Sequence, residues 1–126
     1  MVLLGEICEF IYGESLPEHK RQSGDVPVYG SNGVVGWHSQ SVSTGPTIVI
    51  GRKGSIGKIH LSKVPCYPID TTYYIDSSKV ECDFNWLSYI LSTLGLDELN
   101  KSAAVPGLNR NDAYELEIPL PPLEEQ

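Results

Sequence analysis

A chain of 126 residues with 9 basic against 16 acidic side chains, a formal charge of -7 and 40% hydrophobic residues has the size and balance of one globular domain. It is too short to hold a catalytic domain beside a recognition domain, and no apolar run nears the ~20 residues of a membrane span, the longest lying at Thr47–Ile50. Met1-Val2-Leu3-Leu4 lacks the basic flank of a signal peptide, and Cys8, Cys66 and Cys82 form no CxxC pair, so a cytoplasmic domain with buried thiols is expected rather than a disulfide framework or a zinc finger.

In chain order, Val26-Pro27-Val28-Tyr29 and Val34-Val35-Gly36-Trp37 are strand-forming runs around Gly30-Ser31-Asn32-Gly33, whose Asn-Gly pair predicts a tight hairpin turn with positive φ. Thr47–Ile50 and Ser55–Ile59 flank Gly51-Arg52-Lys53-Gly54, which predicts a second hairpin tipped by two cations. Thr71–Ile75, β-branched and aromatic throughout, predicts a further strand. After Asp83 the period changes to that of a helix, with Leu87, Ile90, Leu91 and Leu94 on one stripe and Gly95 as its stop. That stripe is expected to pack on the sheet. Leu96–Asn100 adds a helical turn, and Asn109 reads as the cap of a short helix through Tyr114, after which Pro119, Pro121 and Pro122 forbid more helix. The predicted fold is α+β, a twisted, hairpin-rich β-sheet packed against one amphipathic helix and short C-terminal helices. Pro122-Leu123-Glu124-Glu125-Gln126 places proline and two acids where a new helix would start.

Net charge conceals its distribution. Between Val26 and Ile69 there is no acidic residue, whereas Arg52, Lys53, Lys58 and Lys63 are present with His38 and His60. Such a window is either a solvated loop region that happens to be basic or one polyanion-facing side of the domain.

Motifs for chemistry fail on spacing. Gly51 to Gly57-Lys58 imitates a phosphate-binding loop, but five residues intervene where four are required, and Ile59 stands where a magnesium-ligating hydroxyl is needed. An acid followed by acid-x-Lys, as metal-dependent nucleases use, is out of order: Glu18-His19-Lys20 lies upstream of Pro68-Ile69-Asp70. His19, His38 and His60 are too scattered for a metal-binding helix, and no glycine-rich strand-to-helix turn serves a nucleotide or methyl-donor cofactor. The chain reads as non-catalytic, with no cofactor and no metal.

Several phrases, in order and spacing, resemble a known family. They are Leu4-Gly5-Glu6-Ile7-Cys8, Gly13-Glu14-Ser15-Leu16-Pro17, Val26 to Gly33, Gly45 to Gly57, Ala104-Val105-Pro106-Gly107-Leu108-Asn109-Arg110 and Ile118 to Gln126. Together they resemble one target recognition domain of the DNA specificity subunit of Type I restriction-modification systems. The resemblance implies a subunit with two such domains, each reading half of a split DNA site, separated by long helices that set the distance and dock the methyltransferase (modification) subunits. Through those the restriction subunit is reached. On this reading residues 1–126 are a single recognition domain that ends, at about 120–126, where the spacer helix would begin, and its implied partners are double-stranded DNA, methyltransferase subunits and a second recognition domain or second copy of the chain, with no membrane. A rival is an assembly module that docks methyltransferase subunits without touching DNA.

Specific DNA binding needs cations for phosphates and polar side chains for base edges. Arg52, Lys53 and Lys58, with Arg110, are the phosphate candidates; Ser31, Asn32, His38 and Gln40 are the base candidates. For Gly51, Gly54 and Gly57, and for Asn32, turn geometry alone is an equally available role; for Asn109 it is the helix cap. Cations sharing one exposed face favour DNA, whereas cations paired to Glu or Asp favour the assembly module.

Overall fold

Residues 1–100 and 106–121 of the computed structural model are described here, and in them nine strands and three α-helices follow one another. They are β1 (Val2–Leu3), β2 (Ile11–Tyr12), β3 (Val26–Gly30), β4 (Gly33–His38), β5 (Thr47–Gly51), β6 (Ile59–Ser62), β7 (Tyr67–Pro68), β8 (Thr72–Asp76), α1 (Phe84–Thr93), α2 (Leu96–Leu99), α3 (Arg110–Tyr114) and β9 (Glu117–Ile118). The predicted α+β class is what is found. Residues 122–126, on which the start of a spacer helix was placed, and Ala104-Val105 of the family phrases lie outside the described residues.

A four-stranded antiparallel sheet in the order β2-β8-β5-β6 forms the centre, and a three-stranded sheet β4-β3-β7 stands beside it. Every residue of β5 and of β8 is buried. Alternation explains why: Ile48, Ile50, Tyr73 and Ile75 enter the core with Leu87 and Leu91 of α1. Val49 and Tyr74, pointing the other way, are covered too, and Val28 of β3 and Cys66, just before β7, are buried. A strand covered on both faces needs a continuous apolar and β-branched run, as Thr47–Ile50 is.

Helix α1 starts at Asp83, whose carboxylate accepts the Trp86 N–H at 2.8 Å, and ends before Gly95, left-handed at φ 69°. The short α2 and α3 follow as predicted, the latter capped by Asn109, whose side chain accepts the N–H groups of Asn111 and Asp112. Cys8, Cys66 and Cys82 are free thiols, the first two buried. Burial, helped by the nearby Cys82 sulfur, pushes the Cys8 thiol up to about 12.

Two turns differ from expectation. In the first hairpin Asn32 does not take a positive φ; only Gly33 does, at 119°, and a register shift between Val28 and Tyr29 leaves Val35 as an extra residue in β4. In the second, the returning strand starts at Ile59 and not at Ser55. Gly54 and Gly57, left-handed at 78° and 75°, spend residues 52–58 on a wider loop closed by Gly57 N–H to Gly51 C=O at 2.8 Å. The pairing of β1 with β9, which joins residues Val2 and Ile118, was not foreseen.

At the far end of β8, Asp76 is 4% exposed and accepts from Thr44 N–H at 2.8 Å, Thr44 Oγ1 at 3.0 Å and Ser78 N–H at 3.2 Å. Burial alone would raise its pKa; these bonds from Thr44 and Ser78 outweigh burial and hold the carboxyl below its ordinary value. A depressed carboxylate pKa contributes stability that is present above the unfolded value, ~4, and is lost as pH falls through the lower, folded value. Urea unfolding should therefore show Asp76→Ala destabilised by about 2–3 kcal/mol at pH 7, by leaving the Thr44 and Ser78 donors unpaired. The difference from wild type should shrink on acidification below pH ~4; a constant difference down to pH ~2 would remove Asp76 ionisation from the stability of this corner.

Candidate nucleic-acid interface

At one end of the central sheet β2 finishes at Tyr12, β5 at Gly51, and β8 begins at Thr72, with Tyr12 opposite Tyr73 and Gly51 opposite Thr72. Three connecting segments converge there. The Ser31-Asn32 turn meets the 52–58 loop through Ser55 N–H to Ser31 Oγ at 3.2 Å, and His60 Nε2 lies 3.1 Å from the Ser31 carbonyl. The segment before α3 docks through Leu108 N–H to the Arg52 carbonyl at 2.9 Å, and Tyr73 donates its hydroxyl to the Leu108 carbonyl at 2.8 Å. Burial, and then the neighbouring Tyr12 hydroxyl, raises the Tyr73 pKa above its usual value. Gly51 is forced by proximity: a Cβ there would stand 1.9 Å from the Ser55 carbonyl oxygen.

The cations of this end are held by neutral groups. Arg52 donates Nη2–H to the Asp70 backbone carbonyl and its guanidinium lies 5.4 Å from the Tyr12 ring centre. Arg110 donates Nη1–H to the Phe10 carbonyl at 2.8 Å and lies 4.5 Å from the same ring. Lys58 Nζ donates to Asn32 Oδ1 at 2.7 Å. Lys53 is exposed and, with Tyr12, Gly107, Asn109, Arg110 and Asn111, lines an open groove of about 320 Å³. No carboxylate lines that groove among the described residues. Carbonyl and amide partners leave the charge of these three cations uncancelled, whereas carboxylate partners would cancel it.

Six of the eight sequence candidates, Ser31, Asn32, Arg52, Lys53, Lys58 and Arg110, are thus brought together from three separate segments. His38 and Gln40 are not. His38 closes β4 opposite Val26, at the other end of a six-residue strand and so ~17 Å away. It is 7% exposed, its Nδ1 accepts the Gln22 N–H at 3.0 Å, and its ring meets Tyr67 edge-on at 5.5 Å. These contacts tie His38 to the fold away from the other candidates; Gln40, exposed, lies beyond the same strand end. Ser31, half-buried, gives its hydroxyl to loop docking. Tyr12 and Asn111 also line the groove but are not among the sequence candidates. Neither carries a sequence signal of its own, because Tyr12 acquires its neighbours only through pairing with β8 and Asn111 only through the docking of the α3 segment.

A family described as the Type I restriction modification DNA specificity domain matches residues 1–126. The specificity subunit of the Type I restriction enzyme EcoprrI from Escherichia coli is 26% identical over 129 residues, covering 98% of this chain and 32% of that protein. Among solved structures, the S subunit of a Type I restriction-modification system from M. genitalium superposes with a TM-score of 0.80 at 26% identity, over 91% of this chain and 32% of that one. The HsdS subunit from Thermoanaerobacter tengcongensis shares the fold, with a TM-score of 0.67 at 24% identity over 98% of this chain and 33% of that one. This chain spans about a third of the length of the relatives it matches. It belongs to the Type I restriction modification DNA specificity domain family.

Proposed function

We propose that this chain is a target recognition domain reading one half of a bipartite duplex DNA site, within a specificity subunit that directs Type I methylation and cleavage. The observation that carries the reading is the convergence of Arg52, Lys53, Lys58 and Arg110 on one sheet end, the first three drawn from the acid-free window, with carbonyl or amide partners for Arg52, Lys58 and Arg110 among the described residues. A domain of net charge -7 that gathers its cations in this way presents one polyanion-facing side against an acidic remainder, which orients DNA as well as attracting it. Chemistry is left to partners: methyltransferase subunits and, through them, the restriction subunit, working in the cytoplasm with a second recognition domain or a second copy of the chain. No helix among the described residues is long and apolar enough to cross a membrane.

Lys53 and Lys58, both exposed, test the reading without disturbing the core. Lys53→Ala and Lys58→Ala should each weaken binding of matched and unrelated duplexes alike and flatten the log-log salt dependence by about one unit. Asn32→Ala should instead change preference among sequences. Fluorescence anisotropy across a salt series separates the two kinds of effect, and salt slopes for the lysine variants equal to that of wild type would take this face out of the DNA interface.

A further inference from the structure

Tyr12 carries no charge and belongs to no motif, yet both arginines of the interface rest on it. It is 49% exposed at the end of an edge strand, with Arg110 at 4.5 Å and Arg52 at 5.4 Å from its ring centre. Those two distances place the guanidinium carbons no more than about 10 Å apart. Two like charges within that range repel, and no carboxylate lines the groove that Tyr12 and Arg110 wall among the described residues. Among the described residues each guanidinium is tethered by one hydrogen bond to a backbone carbonyl, from Arg52 to Asp70 and from Arg110 to Phe10, and a guanidinium has further N–H groups to offer a ligand.

We propose that Tyr12 is a positioning residue for DNA binding: its ring, a wall of the groove, holds both Arg52 and Arg110 against itself as a ready-made seat for one backbone phosphate of the duplex. An arginine side chain loses much rotamer freedom when it binds, and one already stacked on an aromatic ring has lost part of it beforehand. A phosphate between two guanidiniums accepts hydrogen bonds from both and relieves their repulsion, which a neutral base edge does not do. The seat therefore fixes where the backbone lies and leaves sequence discrimination to other residues. The identity of the anion rests on the DNA-recognition reading; the geometry of the seat does not.

The test compares wild type, Tyr12→Phe and Tyr12→Leu, none of which alters the net charge. Duplex binding is followed against salt, and the three arginine Nε–H signals, from Arg21, Arg52 and Arg110, are followed by NMR as pyrophosphate is added. Arg21, bonded to the Leu16 carbonyl at 3.4 Å, is the internal control. In wild type and Y12F, pyrophosphate should shift the Arg52 and Arg110 signals and leave Arg21 in place; in Y12L the shifts should be lost. Duplex affinity of Y12L should fall about tenfold on matched and unrelated sequences alike, with a salt slope lower by about one. A wild-type protein whose Arg52 and Arg110 signals ignore pyrophosphate overturns the seat, whether or not Y12L folds. So does a Y12L protein that keeps the wild-type salt slope, or one that changes sequence preference at unchanged slope. If wild type shows the pyrophosphate shifts but binds no duplex, the seat stands and the DNA reading fails.

Discussion

Two copies of this domain joined by a rigid spacer are expected to bind a duplex carrying both half-sites at least about a hundredfold more tightly than one copy binds it, a gain of about 2.7 kcal/mol. The cationic end offers Lys53, Lys58 and the two stacked arginines, and a charge of -7 over the whole chain repels DNA beyond that end, so a single copy should bind weakly and with strong salt dependence. Linking makes the second encounter intramolecular, and the gain needs no new base contact. It depends on geometry: changing the spacer so that the two faces no longer meet both half-sites on one side of the duplex should abolish it. Titrating single and linked proteins on one labelled duplex, with the spacing between half-sites varied, checks this. A single copy that already matches the linked protein would show that recognition does not depend on pairing two domains.

Gly57→Ala is expected to cost about 2–4 kcal/mol of stability and to weaken DNA binding with it. Gly57 has φ 75°, which strains any other residue, and an added Cβ would stand 2.3 Å from the Asp97 nitrogen and 2.4 Å from the Leu96 carbonyl carbon. Both are backbone atoms, so no side-chain rotation relieves the clash. Either the 52–58 loop, with Lys53 and Lys58, lifts away, or α2 moves and draws Leu96, 2% exposed, from the core. Gly54→Ala is the matched control. Its φ is 78°, but the nearest atom is the Ser31 hydroxyl oxygen at 3.0 Å, which can turn aside, so a loss of only about 1–2 kcal/mol is expected. Urea unfolding of both variants decides the point; equal losses would mean that backbone conformation, and not the docking of the loop on α2, sets the cost at position 57. The turn role considered for the three loop glycines thus divides on contact: Gly51 and Gly57 are held by close approach to backbone, Gly54 by its own φ alone.

Where one segment carries a complete local signal, the sequence was sufficient. Leu87, Ile90, Leu91 and Leu94 between Asp83 and Gly95 specify α1 with both its ends, Asn109 specifies the cap of α3, and the apolar run after Pro46 specifies a strand covered on both faces. The acid-free window located three of the four cations, and the order of short phrases located the family. Segments of two residues have no period to read, so β1, β2, β7 and β9 became visible only with their partners. The returning strand of the second hairpin was placed four residues early because Ser55-Ile56 have strand-like chemistry, while the left-handed Gly54 and Gly57 bend the chain off the sheet until Ile59. His38 has the same polar chemistry whether it faces a groove or the interior, and the Gln22 and Tyr67 contacts that bury it come from 16 and 29 residues away. Tyr12 is the converse case. Thus the sequence by itself determined the local elements, the segregation of charge and the family, because these reside in neighbouring residues or in their order. Which of the candidate side chains share one surface was decided by tertiary structure alone, since register between distant strands sets it and a single strand does not encode its partner's register.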